Sequence, residues 1–537
     1  MLRLSLDDIE DTSKWKDAGI ELPGFDINKV KSKTISEPEW LHFGSGNIFK
    51  AFIADLQQDL LNQGFVDKGI IAAESFDLEI IDKIYKPYDN LSLLVTMHPD
   101  GQFDKKIIAS VVDGLKADKS YKKDWERLKD IFKNKSLKMV SFTVTEKGYK
   151  LEDMDGKYFD FVKEDFKNGL DNPNHAIAIV AALAYERFKE GQYPIAFASM
   201  DNCSNNGQKL HESMETIIKK WIENGHVEEE FLNYINDETK VSFPWSMIDK
   251  ITPRPSVSVK EELEEIDFKD NDIIQTDKNT FIAPFVNSEV PGYLVIEDSF
   301  PNGKIPLDKT GVIYTDRETV NKVEKMKVTT CLNPLHTAMA VYGCLLGHNL
   351  IADEMKDNDI YNLITRIGYQ EGLPVVVDPG VLNPKEFIDE VVKERLTNPY
   401  IPDTPQRIAT DTSQKIAIRF GETIKSYRDN DSLNPEELIA IPLAIAGWLR
   451  YLLGIDDSGK EMDLSPDPLI DELTNKLEGI KFGEPVSVKE QLKPILSNED
   501  LMGLDLYEVN LGNKIESYFK EMIQGSNAVR STLKKYL

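Results

Sequence analysis

The chain has 537 residues, 41% hydrophobic and 29% charged, with a formal net charge of -28. That is a globular composition long enough for two or more cores, and its acidity argues against nucleic acid or an anionic membrane as partner. Its three cysteines form no CxxC pair and its seven histidines are scattered without HExxH, so no metal centre is expected.

The N-terminus, Met-Leu-Arg-Leu-Ser-Leu-Asp-Asp, turns acidic at once and has no signal-peptide core. Residues up to about 36 read as an irregular lead-in. Glu39 to Phe43 reads as a strand, Gly44-Ser45-Gly46 as a tight turn, and Asn47 to Leu61 as a helix with apolar residues at helical spacing. Gly64 is the expected C-cap. Gly69 to Ala73 is the next strand and ends at Glu74. Further strands are expected over Leu91–Met97, Ile107–Val112, Met139–Thr145 and Pro194–Ser199, with a hairpin turn at Pro99-Asp-Gly101. Helices over Tyr121–Phe132 and Ala176–Glu190 separate most of them. This alternation predicts a Rossmann-like, doubly wound α/β domain over 1–316. Beyond it, helical runs over Val320–Leu346, Pro384–Leu396, Thr404–Arg428 and Pro435–Leu453 predict a mainly α-helical domain over 317–537. The most apolar run, Leu438 to Leu453, contains Pro442 and Arg450 and is too short to span a bilayer. A cytoplasmic location is expected.

Gly44-Ser45-Gly46, between a strand and the helix opening at Asn47, has the context of a dinucleotide loop: glycines admit the pyrophosphate and the helix N-terminus attracts it. Phe49 stands where a third glycine is usual, and a plain strand-to-helix turn gives the same pattern. Glu74 is placed to hold an adenosine ribose and to favour NAD over NADP, with Asp77 as the alternative. Asn202, in Met-Asp-Asn-Cys-Ser-Asn-Asn-Gly after a strand, is a candidate polar group, whereas Asn206-Gly207 reads as an Asx-turn and N-cap. Asp249 lies in a proline-rich loop. Arg407 and Lys415, eight apart, share a helix face, and a solvated basic face explains them equally well. The stretch Lys325 to His336 places lysine, amide and imidazole within about three helical turns. It reads as apolar and buried, where a lysine loses proton affinity and suits proton transfer.

Together these segments resemble the long-chain mannitol dehydrogenase family. Val140-Ser-Phe-Thr-Val-Thr-Glu-Lys-Gly-Tyr149, Met200-Asp-Asn202 with Asn206-Gly207, Asp249 through Pro253 and Ile296-Glu-Asp298 follow its motifs in order. The resemblance implies metal-independent, NAD-dependent hydride transfer between a secondary alcohol and a ketone. It implies Lys327 as general acid/base, Asn202 and Asn333 at the reacting oxygen, and His336 on a substrate hydroxyl. It also implies Glu324 as a proton relay, Arg407, Lys415 and Asp249 as substrate contacts, and Gly44, Ser45, Gly46, Asn47 and Glu74 around the cofactor. The segments sit nearest the mannonate-oxidoreductase branch, which implies reduction of fructuronate to mannonate. Tagaturonate or mannitol/fructose are the alternative substrates, and a nucleotide-binding protein without turnover is a second class of reading. Arg254 is an additional cation that would suit a carboxylate. The partner is a small sugar acid or keto sugar, and the family implies a monomer or weak homo-oligomer. One departure stands out. The family spaces lysine and asparagine five apart, and here Lys327 and Asn333 are six apart. A π-bulge within 328–331 restores the shared face, and Pro334 adds to the irregularity; on an unbroken helix Lys325 is the alternative acid/base.

Overall fold

The structure is a computed structural model and describes residues 1–153 and 155–537. The chain divides into two compact units, residues 1–97 with 102–321 and residues 98–101 with 322–537.

The first unit is built on six parallel strands: β1 (Trp40–Phe43), β2 (Ile70–Glu74), β3 (Val111–Lys116), β4 (Met139–Phe142), β5 (Ile195–Ser199) and β6 (Val241–Ser242). Their order across the sheet is β3-β2-β1-β4-β5-β6. The order reverses at β1, and open α/β sheets bind ligands beyond the carboxyl ends of the strands at that point. Parallel strands buried on both faces need apolar residues at every position. Leu41, Phe43, Ile71, Ala73, Val140 and Phe142 enter one core, while Trp40, Ile70, Ala72, Met139 and Ala198 enter the other.

Three expectations about the first unit need correction. The first 36 residues are ordered into helices Leu6–Ile9, Thr12–Asp17 and Ile27–Ser36 and a short strand, Ile20–Glu21. Ser5 and Asp26 accept from backbone N–H groups as N-caps, and Trp15 is fully buried. The run Ile107–Val112 is two strand ends rather than one strand. Phe103–Ile108 pairs antiparallel with Ser92–Met97 across the expected hairpin, and β3 begins at Val111 in a different sheet. Asn206 is no Asx-turn. It lies in the first turn of helix Asn206–Glu223, where its amide donates to the carbonyls of Asp201 and Ser246 and accepts from Ser246 N–H. A Cβ at Gly207 would stand 2.5 Å from the Phe243 carbonyl, so this pair packs helix against strand.

The second unit is helical. Helix α1 (Arg317–Met326) runs into a π-helical turn, Lys327–Cys331, and then into α2 (Asn333–Leu346). Ala440–Tyr451 is wholly buried. Its opening N–H groups at Ile439, Ala440 and Ile441 are capped from a distance by the buried carboxylate of Glu371. The stretch 404–428 is broken rather than continuous. Pro405–Ile408 ends before Asp411, whose φ is 54°, and helix resumes through a π turn, Ala417–Gly421. No helix among the described residues is long and apolar enough to cross a membrane.

Candidate functional site

In the first unit the switch point carries Gly44-Ser45-Gly46. Gly44 has φ of 101°, and a Cβ there would lie 2.3 Å from the Thr143 carbonyl, so only glycine closes the turn. A chain of hydrogen bonds fixes its floor. Trp40 Nε1 donates to Ser141 Oγ, the His42 ring bridges Ser141 Oγ and Thr143 Oγ1, and Thr143 Oγ1 donates to Gly44 O at 3.1 Å. Burial drops the His42 pKa to about 3, so the ring is neutral. Tyr85 Oη donates to Ser45 O. A side chain at Gly46 would meet nothing within 4 Å, leaving that backbone open ahead of Asn47, whose side-chain amide donates to Pro253 O at 3.4 Å. That bond ties the loop after Asp249 to the helix entrance; Asp249 itself is buried at the end of strand Ser246–Asp249.

Glu74 is buried. Its carboxylate accepts from Ser45 N–H at 2.8 Å and from the N–H groups of Ser75, Phe76 and Asp77. Desolvation raises its pKa, and those N–H groups oppose the rise. Glu74 thus straps the glycine turn to the loop after β2. Asp77 is also buried and accepts from Thr276 Oγ1 at 2.6 Å. Beside them a cavity of about 390 Å³ is lined by Ser75, Phe76, Asp118 and Lys278.

At the end of β5, Asn202 is exposed while its neighbour Asp201 is buried. Asp201 accepts from Val144 N–H at 3.0 Å, from Thr145 N–H at 2.8 Å and from Tyr149 Oη. The segment so gripped includes Thr145 at φ 66° and ψ 162°.

In the second unit the six-residue spacing is resolved as the π turn Lys327–Cys331. Leu332 N–H bonds to Lys327 O at 3.1 Å, an i→i+5 link that absorbs the extra residue. Lys327 is 2% exposed. Lys325, two residues earlier, is 53% exposed and pairs with Glu422 at 3.7 Å. Glu324 lies half-buried one turn before Lys327, and Asn333 and His336 are half-buried in the first turn of α2 with Pro334 between them. Desolvation takes the His336 pKa down to about 4; Asp403 raises it, and Arg419, Arg395 and Arg407 lower it further. Arg407 is held by Asp403 through two bonds of 2.5 and 2.6 Å. Lys415 Nζ donates to the carbonyls of Ile408 and Thr410, and desolvation followed by the Arg419 charge lowers its pKa to about 8. Arg407 and Lys415 therefore lie on either side of a helix break, not along one face of a regular helix. Among the described residues no group of His, Cys, Asp and Glu converges as metal ligands.

Two family models match this chain, a mannitol dehydrogenase Rossmann domain over residues 38–309 and a mannitol dehydrogenase C-terminal domain over residues 319–523. The chain belongs to the mannitol dehydrogenase family. It is an oxidoreductase. A D-mannonate oxidoreductase of Thermotoga maritima is 55% identical to it over 99% of each chain. Among solved structures, a D-sorbitol dehydrogenase in substrate-free form matches with a TM-score of 0.78 at 22% identity, covering 96% of this chain and 98% of that one. The Pseudomonas fluorescens mannitol 2-dehydrogenase, solved as a ternary complex with NAD and D-mannitol, matches at 0.70 and 22% identity over 99% of each chain. These two share the fold.

Against this mannitol dehydrogenase framework, sequence reasoning missed Asp201, Thr145, Asp403, Arg395 and Arg419. Asp201 adjoins Asn202 in a segment already singled out, but a positive φ at threonine leaves no trace in sequence. Arg419 had a usable signal, since it stands one helical turn after Lys415 inside the apolar run Ile416-Ala-Ile-Arg-Phe420.

Proposed function

We propose that this enzyme reduces D-fructuronate to D-mannonate, reversibly and with NADH. The full-length 55% identity to a D-mannonate oxidoreductase carries the choice of substrate. The glycine loop fits the dinucleotide: Gly44 lets the backbone turn, the position of Gly46 is open, and Ser45 Oγ is buried without a hydrogen-bond partner among the described residues. N–H groups from Gly46 onward would face the pyrophosphate at the helix N-terminus, and the cavity beside Glu74 would take the adenosine half. The acids Glu74 and Asp77 favour NAD over its 2′-phosphate.

When bound, the cofactor supplies hydride to the substrate carbonyl carbon. Lys327, as ammonium, donates a proton to the oxygen that becomes the alcohol, and Glu324 returns a proton to it from solvent. Asn333 directs its amide N–H at that oxygen, a role that the family resemblance also implies for Asn202. His336 is neutral through the physiological range, so it can donate to or accept from a sugar hydroxyl without presenting a charge. Arg407, fixed by Asp403, holds further substrate oxygens with Lys415, and Asp249 gives a polar contact. The protein works in the cytoplasm as a monomer or weak oligomer.

The test follows NADH absorbance against fructuronate, tagaturonate and fructose. Fructuronate is expected to give the highest kcat/KM. Lys327→Ala should lower kcat by about 10²- to 10⁴-fold, while Lys325→Ala leaves it within a few-fold. Loss of the chemical step in Lys325→Ala alone would reverse the assignment, and NADH binding without turnover of any panel member would sink the enzyme reading.

A further inference from the structure

Cations of the helical unit are mostly neutralised by neighbours. Arg407 is gripped by Asp403, Arg530 by Asp357 and Asp359, and Arg366 by Glu371. Among the described residues Arg450 has no carboxylate ion-pair partner, but it donates to the carbonyls of Met522, Ile455 and Asp456. Arg419 fits neither pattern. It lies on the π turn Ala417–Gly421, one turn past Lys415, with its N–H on the Lys415 carbonyl at 2.9 Å. Its guanidinium donates one bond, to Oγ1 of Thr337, the residue after His336. No carboxylate among the described residues forms an ion pair with it, and desolvation alone lowers its pKa, to about 10.

Arg419 is half-buried, and a partly desolvated charge without a counter-charge is unfavourable unless something else supplies the partner. Carboxylates are not scarce in a chain with 92 acidic and 64 basic residues. This guanidinium therefore stands out as a group kept open for an anion, at the point where His336, Lys415 and Arg407 already converge. Its planar fork offers parallel N–H bonds that match a carboxylate and that a ketose hydroxymethyl cannot use fully.

We propose that Arg419 receives the carboxylate of the substrate and is the residue that selects a keto sugar acid over the corresponding neutral ketose. This rests on the reading that Lys327, Asn333 and His336 form the reaction site. Arg254, the cation that the sequence offered for this role, is instead exposed in the first unit with its guanidinium over the Phe281 ring at 5.0 Å.

The experiment compares kcat/KM for fructuronate and fructose in the full-length enzyme, Arg419→Gln and Arg419→Lys. The ratio of the two should fall about 10- to 100-fold in Arg419→Gln, the range of a lost charge-assisted hydrogen bond, with Arg419→Lys in between. Thermal unfolding supplies a readout without turnover. D-mannonate should raise the midpoint of the wild type more than D-mannitol does, and Arg419→Gln should lose that difference. Without ligand, Arg419→Gln should be no less stable than the wild type, because it removes an uncompensated charge. An equal fall for both substrates, or an unchanged ratio, overturns the assignment and leaves the fructuronate reading intact. A wild type that prefers fructose and ignores D-mannonate overturns both. Should Arg419→Gln fail to fold, the ratio and the D-mannonate shift in Arg419→Lys decide on the same terms.

Discussion

Thr145 carries a β-branched side chain at φ 66° and ψ 162°, a conformation that costs on the order of 1–3 kcal/mol and persists only where neighbours impose it. Here the imposing group is Asp201, buried and accepting the N–H groups of both Val144 and Thr145. Thr145→Gly should therefore be neutral to stabilising by up to about 1 kcal/mol, since relief of strain exceeds the entropy cost of glycine. Asp201→Asn, which cannot accept both N–H groups through carboxylate oxygens, should lose about 1–3 kcal/mol. Denaturant unfolding of the two variants checks the pair, and a destabilised Thr145→Gly would show that the turn is not strained. Lys415 gives a pH signature. Desolvation and the Arg419 charge lower its pKa to about 8, Arg407 adds to this, and Asp411 and Asp467 oppose it. Below pH 8 the ammonium is intact. Above it the cluster loses a cation, so KM for an acid substrate should rise. Lys415→Arg stays charged throughout and should abolish the break near pH 8; a break that survives belongs to another group.

The π turn at Lys327–Cys331 shows which elements a sequence discloses. The additional residue between Lys327 and Asn333, with Pro334 behind it, left two options, a bulge that keeps Lys327 on the Asn333 face or an unbroken helix that rotates it away by about 100° and favours Lys325; the π turn is the first of these. The parallel strands and their flanking helices were legible for a similar reason: their periodicity is dictated by burial. What escaped was set by tertiary partners. Glu74 reads as a strand-end acid free for a ligand, but its carboxylate is largely taken up by backbone N–H groups. Arg419 reads as a charge interrupting an apolar run, and its lack of a counter-charge depends on residues far away in sequence. The π turn itself yields a prediction. Deleting half-buried Val328 removes the residue that the i→i+5 link accommodates and should convert the turn to α-helix, leaving lysine and asparagine at the family's spacing. Turnover should survive within about tenfold, because the same face is presented. Inserting alanine at that point adds another ~100° and should abolish it. If both changes are equally damaging, the bulge has a role beyond register.

At the scale of the molecule, sheet order and charge answer to different constraints. The reversal at β1 places the glycine turn and the Glu74 strap at the carboxyl ends of the adjacent strands β1 and β2, with the Asp201 clamp linking the carboxyl ends of β4 and β5 beside them, so the order of six strands determines where first-unit chemistry can occur. The net charge of -28 leaves that order alone and acts on stability. With 21936 Å² of accessible surface, the excess amounts to one charge per roughly 800 Å², or about 28 Å between neighbours on average. The Debye length is about 30 Å at 0.01 M salt and about 10 Å at 0.1 M. The repulsion thus keeps about 40% of its unscreened strength at the lower concentration and about 6% at the higher. Individual surface ion pairs contribute little and pull the other way on screening, so the long-range excess should win. The unfolding midpoint should rise between 0.01 and 0.1 M NaCl and level off between 0.1 and 0.5 M, as followed by calorimetry at neutral pH. A falling midpoint would mean that specific ion pairs dominate. A rise that continues linearly past 0.1 M would point to salt effects on apolar burial rather than to relief of charge repulsion.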